Sequence, residues 1–392
     1  MSYTDRVKPY MDELVAIRRD LHAHPELGFE EARTSEIVAR KLKEFGVDEV
    51  HTGIAKTGVV GVVRGKGESN RAIGLRADMD ALPIAEKTNL AYSSRNEGKM
   101  HACGHDGHTT MLLGAARYLA DHRNFDGTVY LIFQPAEEGR GGGKVMIEDG
   151  LFERFDCETV YGLHNFPGLP LGAISMRPGP CMAAADEFHI TIRGKGGHGA
   201  MPNVSRDPVV IGSHIVTALQ SIASRRVDPI KEAVVSVTQF HAGDAFNVIP
   251  EEAELKGTCR SFLPEVRDLI ESELKRIATN VALAFDATAD VNFMRNYPPT
   301  INTAEETEIA AAAARKVASE VSTSGDPKMG AEDFSYMLEA RPGCYIWLGN
   351  GKAGEKGGAN VHTPQYDFND DAIPYGVGYW ASLVETVLPK AA

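Results

Sequence analysis

Eight consecutive residues, His101-Ala-Cys-Gly-His-Asp-Gly-His108, carry one thiol, three imidazoles and a carboxylate. Those are the side chains that hold transition-metal ions, zinc above all. A structural zinc finger would need a second Cys/His pair at short, fixed spacing, and none follows. Cys103 and His105 alternate around Gly104, so both can face one ion at the mouth of a helix expected from Thr109. A thiolate there gains from the positive helix end and from the cation. His101 and His108 read as supporting groups rather than ligands. The remaining candidates, Glu137, Glu138, His164 and His362, are scattered along the chain. Adjacent glutamates suit a division of labour in which one carboxylate holds metal and the other takes a proton. Taken singly, each feature has a plainer explanation: a solvated acidic pair, a buried cysteine, a surface histidine. Their joint occurrence argues for one enzyme site assembled from distant segments.

Such a site needs a scaffold. Short apolar, β-branched runs at 58–63, 72–75, 128–133, 159–163 and 344–348 alternate with helical periodicity at 7–21, 30–45, 109–119 and 304–321. This pattern predicts an α/β fold, a mixed, largely parallel sheet with flanking helices. Asp78 and Asp80 then follow one strand, Glu137 and Glu138 another, and His164 ends a third. All sit at carboxyl ends of strands, where open α/β sheets form their ligand crevices. Residues 186–296 change pattern to strand, helix, two strands, helix, strand, the ferredoxin-like order. We therefore expect an inserted α+β lid domain at 186–296 between two parts of a catalytic domain, 1–185 and 297–392.

A formal net charge of −13 disfavours nucleic acid and anionic membrane surfaces as partners. No apolar stretch approaches the length of a membrane span. The five cysteines, Cys103, Cys157, Cys181, Cys259 and Cys344, are odd in number and widely spaced, so a reducing cytoplasm is the expected compartment. The glycines at 139–143 lack P-loop spacing, which argues against a phosphate cradle. A zinc deaminase would show Pro-Cys-x-x-Cys, and no cysteine has that spacing. The other rival is a non-catalytic protein whose two domains close on an amino-acid derivative.

Several segments taken in order resemble one family. They are Arg19-Asp-Leu-His-Ala-His-Pro-Glu-Leu-Gly-Phe29, Arg76-Ala-Asp-Met-Asp-Ala-Leu-Pro83, His101–His108, Gln134-Pro-Ala-Glu-Glu138 and Gly194-Lys-Gly-Gly-His-Gly199, followed by Asn247-Val-Ile-Pro250, Gly330-Ala-Glu-Asp-Phe334 and His362-Thr-Pro-Gln-Tyr-Asp-Phe368. They resemble the hippurate hydrolase and N-acyl-amino-acid amidohydrolase subgroup of the aminoacylase/carboxypeptidase metallopeptidases. The resemblance implies a zinc-peptidase-like fold and two divalent ions per subunit, zinc, manganese, nickel or cobalt. It assigns Cys103, His105, Glu138, His164 and His362 as ligands and Glu137 as general base, with Asp80 among the catalytic residues. It also implies that His198 stabilises an oxyanion from a neighbouring subunit, in a homodimer or homotetramer, and that Asn247 and Arg260 hold the carboxylate of an N-acyl amino acid substrate. The wider family has His-x-Asp where this chain has Asp78-Met79-Asp80, and bridges its metals by aspartate rather than thiolate; the subgroup shares both departures. A thiolate suits zinc, nickel or cobalt better than manganese.

Overall fold

Apolar and β-branched residues dominate the segments Ala72–Asp78, Thr128–Gln134, Thr159–Pro167 and Gly343–Gly351. In the computed structural model, which describes residues 2–390, these are parallel neighbours in the middle of an eight-stranded sheet. Ala72–Asp78 and Gly343–Gly351 are buried along their whole length, as parallel strands covered on both faces must be. Gly58–Arg64 joins one side antiparallel, and Glu49–Ile54 pairs with it as the outermost strand. Two-residue strands, Ile174–Ser175 and Val321–Ser322, finish the other side. The sheet is therefore largely parallel at its centre and mixed at its margins.

The helices Met11–Ala23, Ala32–Glu44, His105–His122, Ala304–Ala314 and Ile373–Val387 share one core with the sheet, built around Leu14, Leu42, Leu75, Leu113, Leu131 and Trp380. Several boundaries differ from expectation; the helix read over 7–21 begins at Met11, after the short helix Tyr3–Val7 and the turn Lys8–Tyr10 with Pro9 in it. The helix expected from 109 starts at His105, because Gly104 takes a left-handed φ of 91° and turns the chain into its first turn. The helix expected over 304–321 stops at Ala314, and its continuation pairs as the strand Val321–Ser322 with Ile174–Ser175. Alanine periodicity carried the helix no further once Val317 and Val321 entered. None of the described helices is long and apolar enough to cross a membrane.

The chain forms two compact units. The first comprises the residues up to Cys181, Ile301–Asp326 and those from Asp333 on; the second comprises Met182–Thr300 and Pro327–Glu332. Within the second, Ala184–Arg193, Ala233–Ala242, Glu252–Ser261 and Thr288–Arg295 form an antiparallel sheet in the order second, third, first, fourth. Phe188, Ile190 and Ile192 turn to one face, where Ile211 and Ile215 of Pro208–Ser221 and Ile270 and Leu274 of Pro264–Ala284 cover them. The connectivity is ferredoxin-like. Arg267 forks onto Asp186 through Nε at 2.9 Å and Nη2 at 2.5 Å, both side chains nearly inaccessible.

In the first unit a buried charge cluster ties Met11–Ala23 to the start of His105–His122. His22 Nδ1 lies 2.8 Å from Asp106 Oδ2 and its Nε2 lies 3.3 Å from Glu86. Arg18 donates Nε to Asp370 at 2.6 Å and sits 3.7 Å from Asp106. Burial alone would lower the His22 pKa, but the bonds to Asp106 and Glu86 raise it to about 9.

Two outcomes follow from these pairs. Arg267→Ala leaves Asp186 buried without its counter-ion and should destabilise the second unit by about 3–5 kcal/mol. A denaturant titration should show this as an earlier transition; an unshifted midpoint refutes it. A raised histidine pKa stabilises fully below about 6.5, and that stability is lost as pH rises through the folded value. Thermal stability should therefore decline between pH 6.5 and about 9. His22→Gln should melt lower at pH 6.5 and show a flatter profile across that window.

Candidate metal centre

The donor atoms arrive on four segments of the first unit. Cys103 and His105 flank the left-handed Gly104 at the start of His105–His122. A β-carbon at Gly104 would stand 2.3 Å from both Asn165 Nδ2 and Tyr366 Oη, so only glycine permits this approach. Glu137 and Glu138 follow Thr128–Gln134 after Ala136, whose φ is 56°. His164 lies on Thr159–Pro167, and His362 sits in a loop with φ 60°, its N–H on the Ala102 carbonyl at 2.7 Å.

These side chains converge. Cys103 Sγ lies 3.3 Å from His164 Nε2, and Glu138 Oε1 lies 3.2 Å from His362 Nε2 and 3.9 Å from His105 Nε2. Cys103, His105 and His164 place their donor atoms within 4.8 Å of one another, and so do Cys103, Glu138 and His362. Glu137 joins His105 and Glu138 at the same spacing. Cys103 is thus common to two neighbouring groups of three. A thiol sulfur, three imidazoles and carboxylates form a donor set suited to zinc and its transition-metal relatives.

The surrounding hydrogen bonds fix which atoms are donors. His105 Nδ1 is 3.1 Å from Asp80 Oδ1, and His164 Nδ1 donates to the Asn165 carbonyl at 2.6 Å. Each bond aims the ring's Nε2 at the cluster, the usual orientation behind a ligating histidine. His105 Nε2 and Glu138 Oε1 are buried and have no hydrogen-bond partner. The 3.2 Å approach of His362 to that oxygen is a contact of converging donors rather than a hydrogen bond. Two orphaned buried polar atoms facing one another fit a bound cation. The second oxygen of Asp80 accepts the Glu138 N–H at 3.0 Å, so Asp80 works through His105 and Glu138.

Asp78, His105 and His108 also lie close together, yet this group lacks the lone pairs of a metal site. His108 spends Nδ1 on Asp78 at 2.6 Å and accepts the Asn165 N–H on Nε2 at 2.9 Å. Asp78 gives its other oxygen to Arg76 at 2.8 Å. Electrostatics agree. Burial pushes His164 and His108 down to about 4, so both are neutral at neutral pH. Burial also opposes a charge on His105, but Asp78 and then Asp80 and Glu138 outweigh it and raise it to about 10. The pocket around His105 is built to hold positive charge.

Cys103, His105, Glu137, Glu138, His164 and His362 are therefore gathered in one place, with Asp80 behind them. His198, Asn247 and Arg260 belong to the second unit. His198 is exposed and pairs with Val248, and the Gly199 N–H donates to Asn247 O at 2.8 Å, so His198 and Asn247 are neighbours. Arg260 lies on Glu252–Ser261 with its guanidinium on the Cys259 carbonyl at 2.8 Å. Asn165 carried no sequence signal, and Asp333 carried one only as part of the segment Gly330–Phe334. Asn165 donates to the Cys103 carbonyl at 2.6 Å and accepts from Tyr366 at 2.9 Å. Asp333 accepts from Arg76 at 3.0 Å, Gln134 at 2.8 Å and the Gly143 N–H at 2.8 Å, bracing the strand ends from below.

Comparison with known proteins agrees with this geometry. The chain is 44% identical over 385 residues to the hippurate hydrolase of Campylobacter jejuni, covering 98% of each. It is 37% identical over 382 residues to the N-acetylcysteine deacetylase of Bacillus subtilis, covering 97% of this chain and 98% of the relative. Among solved structures it is similar to the YXEP protein of Bacillus subtilis, a dinuclear metal binding peptidase of the M20 family. That match has a TM-score of 0.86 and 35% identity, covering 98% of this chain and 100% of the other. The profile of peptidase family M20/M25/M40 matches residues 74–386, and this chain, a metal-dependent hydrolase, belongs to that family.

Proposed function

We propose that the protein cleaves the amide bond of N-acyl amino acids of the hippurate type, releasing a carboxylic acid and a free amino acid. The observation that carries this reading is the convergence of Cys103, His105, Glu138, His164 and His362 beside an adjacent carboxylate, Glu137. Similarity to a hippurate hydrolase and to an N-acetylcysteine deacetylase supports the substrate class.

Cys103, His105, Glu138, His164 and His362 would hold two divalent cations, which would supply Lewis acidity toward the acyl carbonyl and the attacking water. Zinc, nickel or cobalt suits the thiolate, with manganese accommodated by the carboxylate and imidazoles. A carboxylate oxygen of Glu137 accepts the proton of the attacking water, then returns it to the departing amine nitrogen. His198, contributed by a partner subunit of a homodimer or homotetramer, donates to the developing oxyanion. Asn247 and the Arg260 guanidinium hold the substrate's carboxylate, a task that suits a planar two-pronged donor. The five free, buried cysteines support a reducing cytoplasm as the working compartment.

A panel of N-acyl amino acids, with acetyl, benzoyl and longer acyl groups, assayed for amine release tests the substrate class. Activity should vanish with chelator and return with zinc, nickel, cobalt or manganese; no amine release from any member by the metal-loaded protein would sink the proposal. Glu137→Gln should retain two metals per chain while kcat falls by about 10²–10⁴, and a near-parental kcat removes the base assignment. Cys103→Ala should lower the bound metal below two per chain by elemental analysis. Unchanged stoichiometry refutes its role as ligand.

A further inference from the structure

The first motif of the chain, Arg19–Phe29 with the glutamates after it, takes no part in the chemistry so far. It runs against the segments that carry the donor atoms. His22 pairs with Asp106, one residue past His105. The Glu26 carbonyl accepts the Ala81 N–H at 2.8 Å, one residue past Asp80. Gly28 comes so near the turn before the twin glutamates that a β-carbon on it would lie 3.0 Å from the Cα and Cβ of Ala136. Its carbonyl accepts from Arg140 at 2.9 Å.

Glu31 makes the most direct of these contacts. It is wholly buried, with Oε1 accepting the Ala136 N–H at 2.8 Å and Oε2 accepting the Thr57 hydroxyl at 2.6 Å. Ala136 holds φ 56° and ψ 43°, a left-handed conformation that a residue with a β-carbon adopts only under constraint. Glu138 and Gly139 also leave helical values just beyond it. Neighbouring side chains on a regular helix or strand diverge, and this irregular turn is what allows Glu137 and Glu138 to face the same cluster. Without Glu31, the Ala136 N–H would be a buried donor lacking its acceptor, and the turn would lose the bond that opposes its strain.

We propose that Glu31 is a positioning residue of the metal centre: its carboxylate locks the left-handed turn at Ala136 that aims Glu138 at the ligands and Glu137 at the reacting atoms. This rests on the assignment of Glu138 as ligand and Glu137 as base. Gln at position 31 keeps an acceptor for the Ala136 N–H, and the Thr57 hydroxyl can rotate to meet the amide. Ala does not.

The test titrates metal-free protein with cobalt(II), following the thiolate charge-transfer band, and then measures kcat and KM at saturating metal. Glu31→Ala should bind cobalt at least tenfold more weakly and lose at least tenfold in kcat, with KM within threefold of the parent. Glu31→Gln should stay within threefold in all three. Gly28→Val crowds the same turn from the other side and should reproduce the loss with Glu31 intact, which keeps the test open if Glu31→Ala fails to fold. Parental cobalt affinity and kcat in Glu31→Ala, or in Gly28→Val where the former does not fold, overturn the proposal. Glu137→Gln run alongside separates the two assignments. Parental turnover there removes the base while the cobalt titration still judges Glu31. An inactive Glu137→Gln beside an unaffected Glu31→Ala removes only the positioning role.

Discussion

Lone pairs that face one another in a buried space repel unless a proton or a cation lies between them. Cys103 Sγ, the Nε2 atoms of His105, His164 and His362, and Glu138 Oε1 are brought together by the fold, and of these His105 Nε2 and Glu138 Oε1 are buried with no hydrogen-bond partner. Leaving buried polar groups unsatisfied costs on the order of 1–3 kcal/mol each, more where charge is involved. A shared proton could satisfy one pair at most, whereas a divalent ion satisfies several donors at once. Much of the first unit follows from that constraint. The parallel strands bring their carboxyl ends to one edge, and Asp80 and the Asn165 carbonyl orient the His105 and His164 rings with Nε2 toward the cluster.

The same constraint explains why one aspartate differs from the other. Asp78 and Asp80 leave the same strand end, but Asp78 is sealed beneath by Arg76 and His108, while Asp80 reaches His105 and the Glu138 N–H. Arg76 in turn bonds Gln134 and Asp333, so its buried charge is compensated by two carboxylates and an amide. Removing any single partner from such a cluster would strand a charge in the interior. Asp78 therefore sustains the floor of the site and Asp80 its wall.

How much of this could be read from the chain depended on whether a residue's role is local. Cys103-x-His105 and Glu137-Glu138 stood out because rare side chains at close spacing have few other uses, and the β-branched runs placed them at strand ends. Glu49–Ile54 escaped notice because this edge strand is mostly polar and partly exposed. Gly104 hid the helix start, since nothing in Cys-Gly-His announces a φ of 91°. Asn165, Asp333 and Glu31 act on atoms 62, 190 and 105 residues away respectively, through backbone hydrogen bonds open to any acceptor or donor of similar length. Asn165 and Glu31 belong to no quoted pattern, and the segment Gly330–Phe334 does not announce what Asp333 bonds. Only the folded chain gives them meaning.

Backbone conformation ties these observations together. Three segments carrying the converging donor atoms pass through left-handed positions at Gly104, Ala136 and His362, and two of those residues carry a β-carbon. Such conformations persist where the surroundings over-determine them, and here each has an identified restraint. Asn165 and Tyr366 close around Gly104, Glu31 holds Ala136, and the Ala102 carbonyl holds the His362 N–H. The sheet supplies a core stiff enough to impose all three at once. Placement of the donor atoms in this protein is thus a property of backbone turns before it is a property of side chains, and the residues that fix those turns belong to the site as much as the donors do.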